Sequence, residues 1–361
     1  MTDHGPVLVV LPPQTAARED RDSLLAHGLM EDVCLEMARF PAMRVISWMS
    51  GAAVAHLPDH EIGERLGATH ILRTRVKPLA DNWRITASLV DCGSDAQLWS
   101  ENLEVPADHP FALQDQLVAR IAATLAARLE RSALAASRSK SPETMATYEL
   151  VLRGLALLRR GTLQADEEAR ELFARALERD PGYARACAGL SLSYFNEWSC
   201  QFWDRFQERG RLAYQHAHRA LELDDRDAML HIIIGRIHLY HRRFEQASWY
   251  FDRALALCPS DAENLIQLST CQAYLGRPET GRELAHSAMR LNPYHPSEYF
   301  AYAALSWFLD RQFEEALEIG AKAGSAPMVD MPAFTAVTLA HLGRIDEARE
   351  HMSTYHATFR E

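Results

Sequence analysis

At 361 residues the chain is longer than one compact core usually needs, so two or more domains, or a repeat array, are expected. A net charge of -11 and a pI near 5.8 argue against a protein whose main task is holding nucleic acid, because neutralising phosphates takes clustered Lys and Arg. No run approaches the roughly 18–20 consecutive apolar residues of a membrane span, and the opening MTDHGPVLVVLPP lacks the basic start and small-residue cleavage site of a signal peptide, so a soluble, cytoplasmic chain away from membranes is expected.

The first 130 or so residues read as short strands alternating with helices. Val7 to Leu11 is a continuous apolar run stopped by Pro12 and Pro13, as in a strand buried on both faces. Leu25, Leu29 and Val33 then recur at helical spacing, with Met30, Met37 and Phe40 widening the stripe. Met43 to Trp48 predicts a second strand, and Ile62 to Leu66 a short helix closed by Gly67. Three further strands are predicted from Thr69, Trp83 and Gln97. In the middle one Trp83, Ile85, Ala87 and Leu89 alternate with Arg84, Thr86 and Ser88, the period of a sheet covered on one side. The connections Pro78 to Asn82 and Cys92 to Ala96 hold the Asp, Asn, Gly and Ser of tight turns, which predicts an antiparallel meander. A helix with Leu113, Leu117, Ile121, Leu125 and Leu129 closes the half, giving β-α-β-α-β-β-β-α. Ser132 to Thr144, small and polar and containing Pro142, predicts a linker, so the expected domains are 1–131, a linker 132–144, and 145–361.

Beyond the linker one phrase returns: FARALERDPGYA from Phe173, AHRALELDDRDA from Ala217, FDRALALCPSDA from Phe251 and AHSAMRLNPYHP from Ala285. Its landmarks Pro181, Asp225, Pro259 and Pro293 lie 44, 34 and 34 residues apart. The unit ending at Pro259 has Ile234-Gly235, Ala247, Phe251 and Ala254; the next has Leu268-Ser269, Gly281, Ala285 and Ala288 in the same slots. This pattern resembles the tetratricopeptide repeat, a helix-turn-helix unit with small residues where helices cross, and about six units are expected. One such pair cannot bury its own apolar face. Stacked pairs bury one another's and leave a concave wall, made mainly by the first helix of each unit, where a partner segment can lie.

The first half, from VLVVLPP through EIGERLGATHILRTRV and WRITASLVDCGSDAQLWSENLEV to FALQDQLVARIAATL, resembles the TolB N-terminal/FlgO-like domain, and the entry SPETMATYELVLRG extends the resemblance into the repeats. The resemblance implies an α+β domain with a mixed sheet followed by an all-α repeat solenoid, as in the C-terminal regions of bacterial class III adenylate cyclases and OmpR/CadC-type winged-helix regulators. Met1 opens directly on the first strand, so either a stand-alone relative or a chain parted from an upstream effector domain is expected.

Catalytic signals are weak. His60 begins H-E-I-G-E, which ends in Glu64 and so lacks the second histidine of a zinc protease motif. His231, His238 and His241, with His216 and His218 nearby, read as surface histidines of repeat helices rather than metal ligands. No phosphate-cradling glycine loop, dinucleotide fingerprint or nucleophile elbow occurs. Six scattered cysteines without C-x-x-C spacing fit free thiols, and Cys258 before Pro259 reads as structural. No catalytic residue, cofactor or metal is therefore expected.

The wall is the more informative surface. Its predicted inward positions are Arg185, Leu192, Phe195 and Asn196; Ile232, Arg236, Leu239 and Tyr240; Ile266, Thr270 and Tyr274; and Phe300, Trp307 and Phe308. From these we expect partner contacts at Arg185, Asn196, Arg236, Tyr240, Tyr274, Trp307 and Phe308, since Arg and aromatics dominate binding hot spots. Trp198, Phe202, Trp203 and Phe206 in the long second unit read as a flap packed on the array. The expected role is a non-catalytic sensory or protein-interaction module of a bacterial signalling or transcription-control system, taking a peptide, protein or small effector. The rival reading is the regulatory region of an adenylate cyclase. Direct nucleic-acid binding is not expected, and self-association stays open.

Overall fold

The computed structural model describes residues 5–15, 20–79, 82–106, 114–138, 140–200, 206–293, 295–324 and 331–358. The chain divides into two compact units, Met1–Lys140 and Ser141–Glu361.

In unit 1 the strands are β1 (Val7–Val10), β2 (Gln14–Thr15), β3 (Arg44–Ile46), β4 (His70–Pro78), β5 (Asn82–Asp91) and β6 (Gln97–Pro106). The helices are α1 (Asp20–Met37), α2 (Trp48–Val54), α3 (Asp59–Leu66) and α4 (Gln114–Ser137). The sheet order is β3-β1-β4-β5-β6, with β2 also pairing β4. β3, β1 and β4 run parallel, and β4, β5 and β6 form the antiparallel meander that the turn chemistry predicts. Val7 to Val10 is wholly buried because helices cover both faces of a parallel strand. In β5 the buried Ile85, Ala87 and Leu89 alternate with partly or fully exposed neighbours until the register shifts at Leu89/Val90. Gly67, at φ 64°, closes α3 with a left-handed cap, which glycine adopts without strain.

Two sequence expectations need correction. Trp48 does not end a strand: β3 stops at Ile46, and Trp48 opens α2, a helix that the sequence reading omits along with the two-residue β2. The segment 132–144 is not all linker, because α4 continues to Ser137; SALAAS is made largely of good helix formers, and Pro142 lies beyond them. Leu113 lies outside the described residues, as do the side chains of Leu25, Leu29 and Leu117.

Unit 2 contains twelve helices among the described residues: α5 (Thr147–Leu158), α6 (Leu163–Arg179), α7 (Ala184–Cys200), α8 (Phe206–Leu223), α9 (Ala228–Tyr240), α10 (Phe244–Leu257), α11 (Ala262–Tyr274), α12 (Pro278–Leu291), α13 (Glu298–Leu309), α14 (Phe313–Ala321), α15 (Met331–His341) and α16 (Ile345–Thr358). Consecutive helices pack in pairs, and each first helix also packs on the next first helix, α5 on α7, α7 on α9, α9 on α11, α11 on α13 and α13 on α15.

The repeated phrase now has a physical content. Its phenylalanines, Phe173 and Phe251, are fully buried, and each fills a notch that a glycine leaves open. A Cβ on Gly235 would stand 2.4 Å from the Phe251 ring, and one on Gly154 or Gly189 would stand 2.5 or 2.4 Å from Phe173. Its Asp residues start the next helix: Asp227 accepts a hydrogen bond from the Met229 N–H, and Asp261, one repeat later, accepts from Glu263 and Asn264.

Candidate partner-binding wall

The first helices supply the wall, and its centre lies on α9 and α11. Tyr240 and Tyr274 end these helices in equivalent positions and remain 47 % and 44 % exposed. The Tyr240 ring also meets Phe195 at 5.0 Å and Trp198 at 5.5 Å, so its base is fixed while its outer edge stays open. Arg236, one turn earlier and half-buried, lays its guanidinium over the Phe195 ring at 4.5 Å. It makes no ion pair with any described residue.

Charges from several hairpins converge on this face. Burial pushes the Cys271 thiol of α11 up to about 11, with the Arg236 charge opposing the shift. Burial likewise raises Tyr302 of α13, against the Arg236 and Arg159 charges. Arg159 directly follows α5, so charges from the first and third hairpins both act on Tyr302 of the fifth.

The other expected positions divide. Arg185 is committed to packing: its guanidinium bonds the Asp227 carboxylate at 2.5 Å, bridging the second hairpin to the cap of the third. Asn196 is half-buried, with its amide facing Asp166. Trp307 is 7 % exposed and sits in a core cluster with Ile266, Ala285 and Tyr299, its ring edge-on to His286 at 5.2 Å. Phe308 is partly buried against the same cluster and meets Phe313 and Phe334. These two aromatics pack between helices because the fifth hairpin is out of phase. The residues that cap α9, α11 and α13 are His241, Leu275 and Asp310, at intervals of 34 and 35, so the slot of Tyr240 and Tyr274 falls on Leu309. Trp198 is 5 % exposed in the core of the second and third hairpins; Phe202, Trp203 and the Phe206 side chain lie outside the described residues.

A buried polar network that the sequence reading overlooks lies behind Asn196. Asp166 of α6 is fully buried, and burial drives its pKa up to about 7, opposed by the Asn196 amide and Arg170. Beside it Glu197 of α7 accepts from Arg170 at 2.9 Å and Arg209 at 2.7 Å. The sequence holds the signal: Asp166 stands on the stripe Ala165, Ala169, Phe173, where an apolar residue is the norm.

His216, His231, His238 and His241 all titrate below the ordinary range, with burial as the leading cause. The His238 ring stacks on Tyr250 at 5.3 Å and meets Tyr214 edge-on at 6.2 Å. No group of three or more His, Cys, Asp and Glu among the described residues is placed to hold a metal ion. A cavity of about 730 Å³ opens between α14, α15 and α16, lined by Leu317, Met331 and Leu339 with Glu318, Arg344 and Glu347 at its rim. Among the described residues no helix is long and apolar enough to cross a membrane.

Together these features define the architecture: a small mixed α/β unit, and a stack of helical hairpins whose first helices expose Arg and Tyr. No family model matches the chain. A putative adenylate cyclase 3 from Rhizobium meliloti (strain 1021) is 27 % identical over 248 residues, covering 67 % of this chain and 42 % of the relative. The chain thus spans less than half of that protein's length. Among solved structures, Pseudomonas aeruginosa pilF is similar with a TM-score of 0.38 at 19 % identity, over 64 % of this chain and 94 % of that one. YrrB, described as a tetratricopeptide protein with an unusual peptide-binding site, is similar with a TM-score of 0.31 at 20 % identity, over 54 % and 91 %.

Proposed function

We propose that the chain is a non-catalytic interaction module of a bacterial signalling or transcription-regulatory system, accepting an extended peptide or protein segment along its first-helix wall. The observation that supports this most directly is the grouping of the Arg236 guanidinium, which has no ion-pair partner among the described residues and is seated on Phe195, with the half-open rings of Tyr240 and Tyr274. Fixed aromatics and a guanidinium pre-arranged on a ring lose little freedom when a partner arrives, which is how hot spots reach high energy per residue. Affinity capture from a bacterial lysate, comparing the parent with Arg236→Glu and Tyr274→Ala, tests the reading. Capture by the parent that both variants lose supports the wall; capture that neither variant alters removes it.

A second reading is favoured by the cyclase-named relative: the chain acts as the regulatory region of a class III adenylate cyclase. The two readings share the wall and differ in what it controls. Conversion of ATP to cyclic AMP by the purified chain alone would overturn the non-catalytic assignment. A change in the activity of an added class III cyclase catalytic domain, lost in Arg236→Glu, would favour the second reading.

A further inference from the structure

Asp166 stands one turn past the Thr162 cap of α6 with no solvent exposure, and neither of its carboxylate oxygens makes a hydrogen bond with a described residue. Its surroundings explain why. On its own helix Arg170, four residues on, turns away to Glu197 Oε2 at 2.9 Å and to Glu167 at 3.9 Å. On α7 the Ser193 hydroxyl donates to the Asp166 backbone carbonyl, not to the side chain, and Glu197 adds a like charge. On α8 Arg209 holds the other Glu197 oxygen at 2.7 Å. Both guanidiniums lie over the Tyr194 ring, at 5.0 and 5.4 Å, and that ring stacks on His216. Both guanidiniums thus bond Glu197, and Arg170 acts on Asp166 only through space, without a hydrogen bond. A carboxylate buried without a partner is expensive, and binding a proton is the inexpensive remedy.

Asn196, on the wall, turns its side-chain amide toward the Asp166 carboxyl without closing a bond of ordinary length. An amide has two ends. Opposite a carboxylic acid its carbonyl accepts the O–H, and the NH2 is turned toward the wall surface. Opposite a carboxylate its NH2 donates, and the carbonyl is turned outward. We propose that Asp166 is the positioning residue for Asn196, and that one proton on Asp166 decides whether the wall offers amide donors or a carbonyl acceptor to a bound chain.

This rests on the reading of the wall as a peptide site. With Asp166 protonated, Asn196 suits an acceptor such as a peptide carbonyl or carboxylate; with Asp166 ionised, it suits a peptide N–H. When the proton leaves to solvent, Arg170 can turn back to Asp166 along its own helix face, and Glu197 keeps Arg209.

The test uses the full chain without any ligand, so its failure is separable from failure of the wall to bind. In isotopically labelled protein, the Asn196 side-chain NH2 and the Asp166 carboxyl carbon are followed by NMR from pH 3 to 9. The expected result is that both titrate together, well above the ordinary carboxylate range, and that the Asn196 response vanishes in Asp166→Asn. An Asp166 midpoint near 4, or Asn196 signals that do not move with Asp166, overturns the proposal. A response that persists in Asp166→Asn belongs to His216 and overturns it equally. Should that variant fail to fold, the co-titration in the parent decides alone.

Discussion

Arg242 and Arg311 sit at φ 57° and 61°, in the left-handed position that turns a first helix into a second. Gly161, Gly276 and Gly343 hold the same place in the first, fourth and sixth hairpins. A side chain there costs roughly 1–2 kcal/mol, partly offset by the greater freedom that glycine loses on folding. Arg311→Gly is therefore expected to raise unfolding free energy by about 0.5–1 kcal/mol in a denaturant titration; a loss would show that Arg311 makes a stabilising contact instead. The glycine turns could be read from the sequence. Those built on arginine could not, because nothing local marks an arginine for φ above zero.

Asp166 gives a second expectation at this scale. Its folded pKa, about 7, lies above the ordinary aspartate value of 3.8. The folded state therefore binds the proton more tightly, and this contribution is full below pH 3.8 and lost as pH rises through about 7. Asp166→Asn removes that slope. Relative to the parent, its stability should improve by an amount on the order of 2–4 kcal/mol between pH 4 and 8. A parallel pair of stability curves would contradict the assignment of a buried, proton-holding acid.

At the scale of elements, stability depends on how closely helix pairs approach. Gly235 is the seat of the fully buried Phe251, and a methyl group there would meet ring carbons at 2.4 and 2.7 Å. Gly235→Ala should destabilise unit 2 by about 1–3 kcal/mol, read as a lower thermal midpoint; an unchanged midpoint would mean that Phe251 can move aside. The 34-residue period and its small-residue slots announce these hairpins in the sequence, since every unit must solve the same crossing problem. The phase within a unit is less legible. One extra residue before the α13 cap turns Trp307 into the core, and an inward slot differs from an inter-helix slot by only such a step. In unit 1 the meander was legible from its period of two. The short β2 and α2 were not, because Gln14–Thr15 and Trp48–Val54 are too brief to establish a period.

For the whole molecule, the sequence shows where composition and period change, and the chain divides into compact units at Lys140 and Ser141. It does not show that α4 runs to Ser137, because a small-residue segment serves helix and linker alike. In unit 2, burial raises the Cys271 thiol and lowers His238, while Tyr240 and Tyr274 stay exposed. The most direct measurement is selection of peptides from a displayed random library on the full chain, followed by hydrogen-exchange footprinting of the tightest one. The expected result is protection concentrated on α7, α9 and α11, with affinity at least about tenfold weaker for Arg236→Glu, or roughly 1.4 kcal/mol. Failure to select any peptide, protection confined to α8, α10 and α12, or equal affinity in Arg236→Glu would contradict a partner-accepting wall.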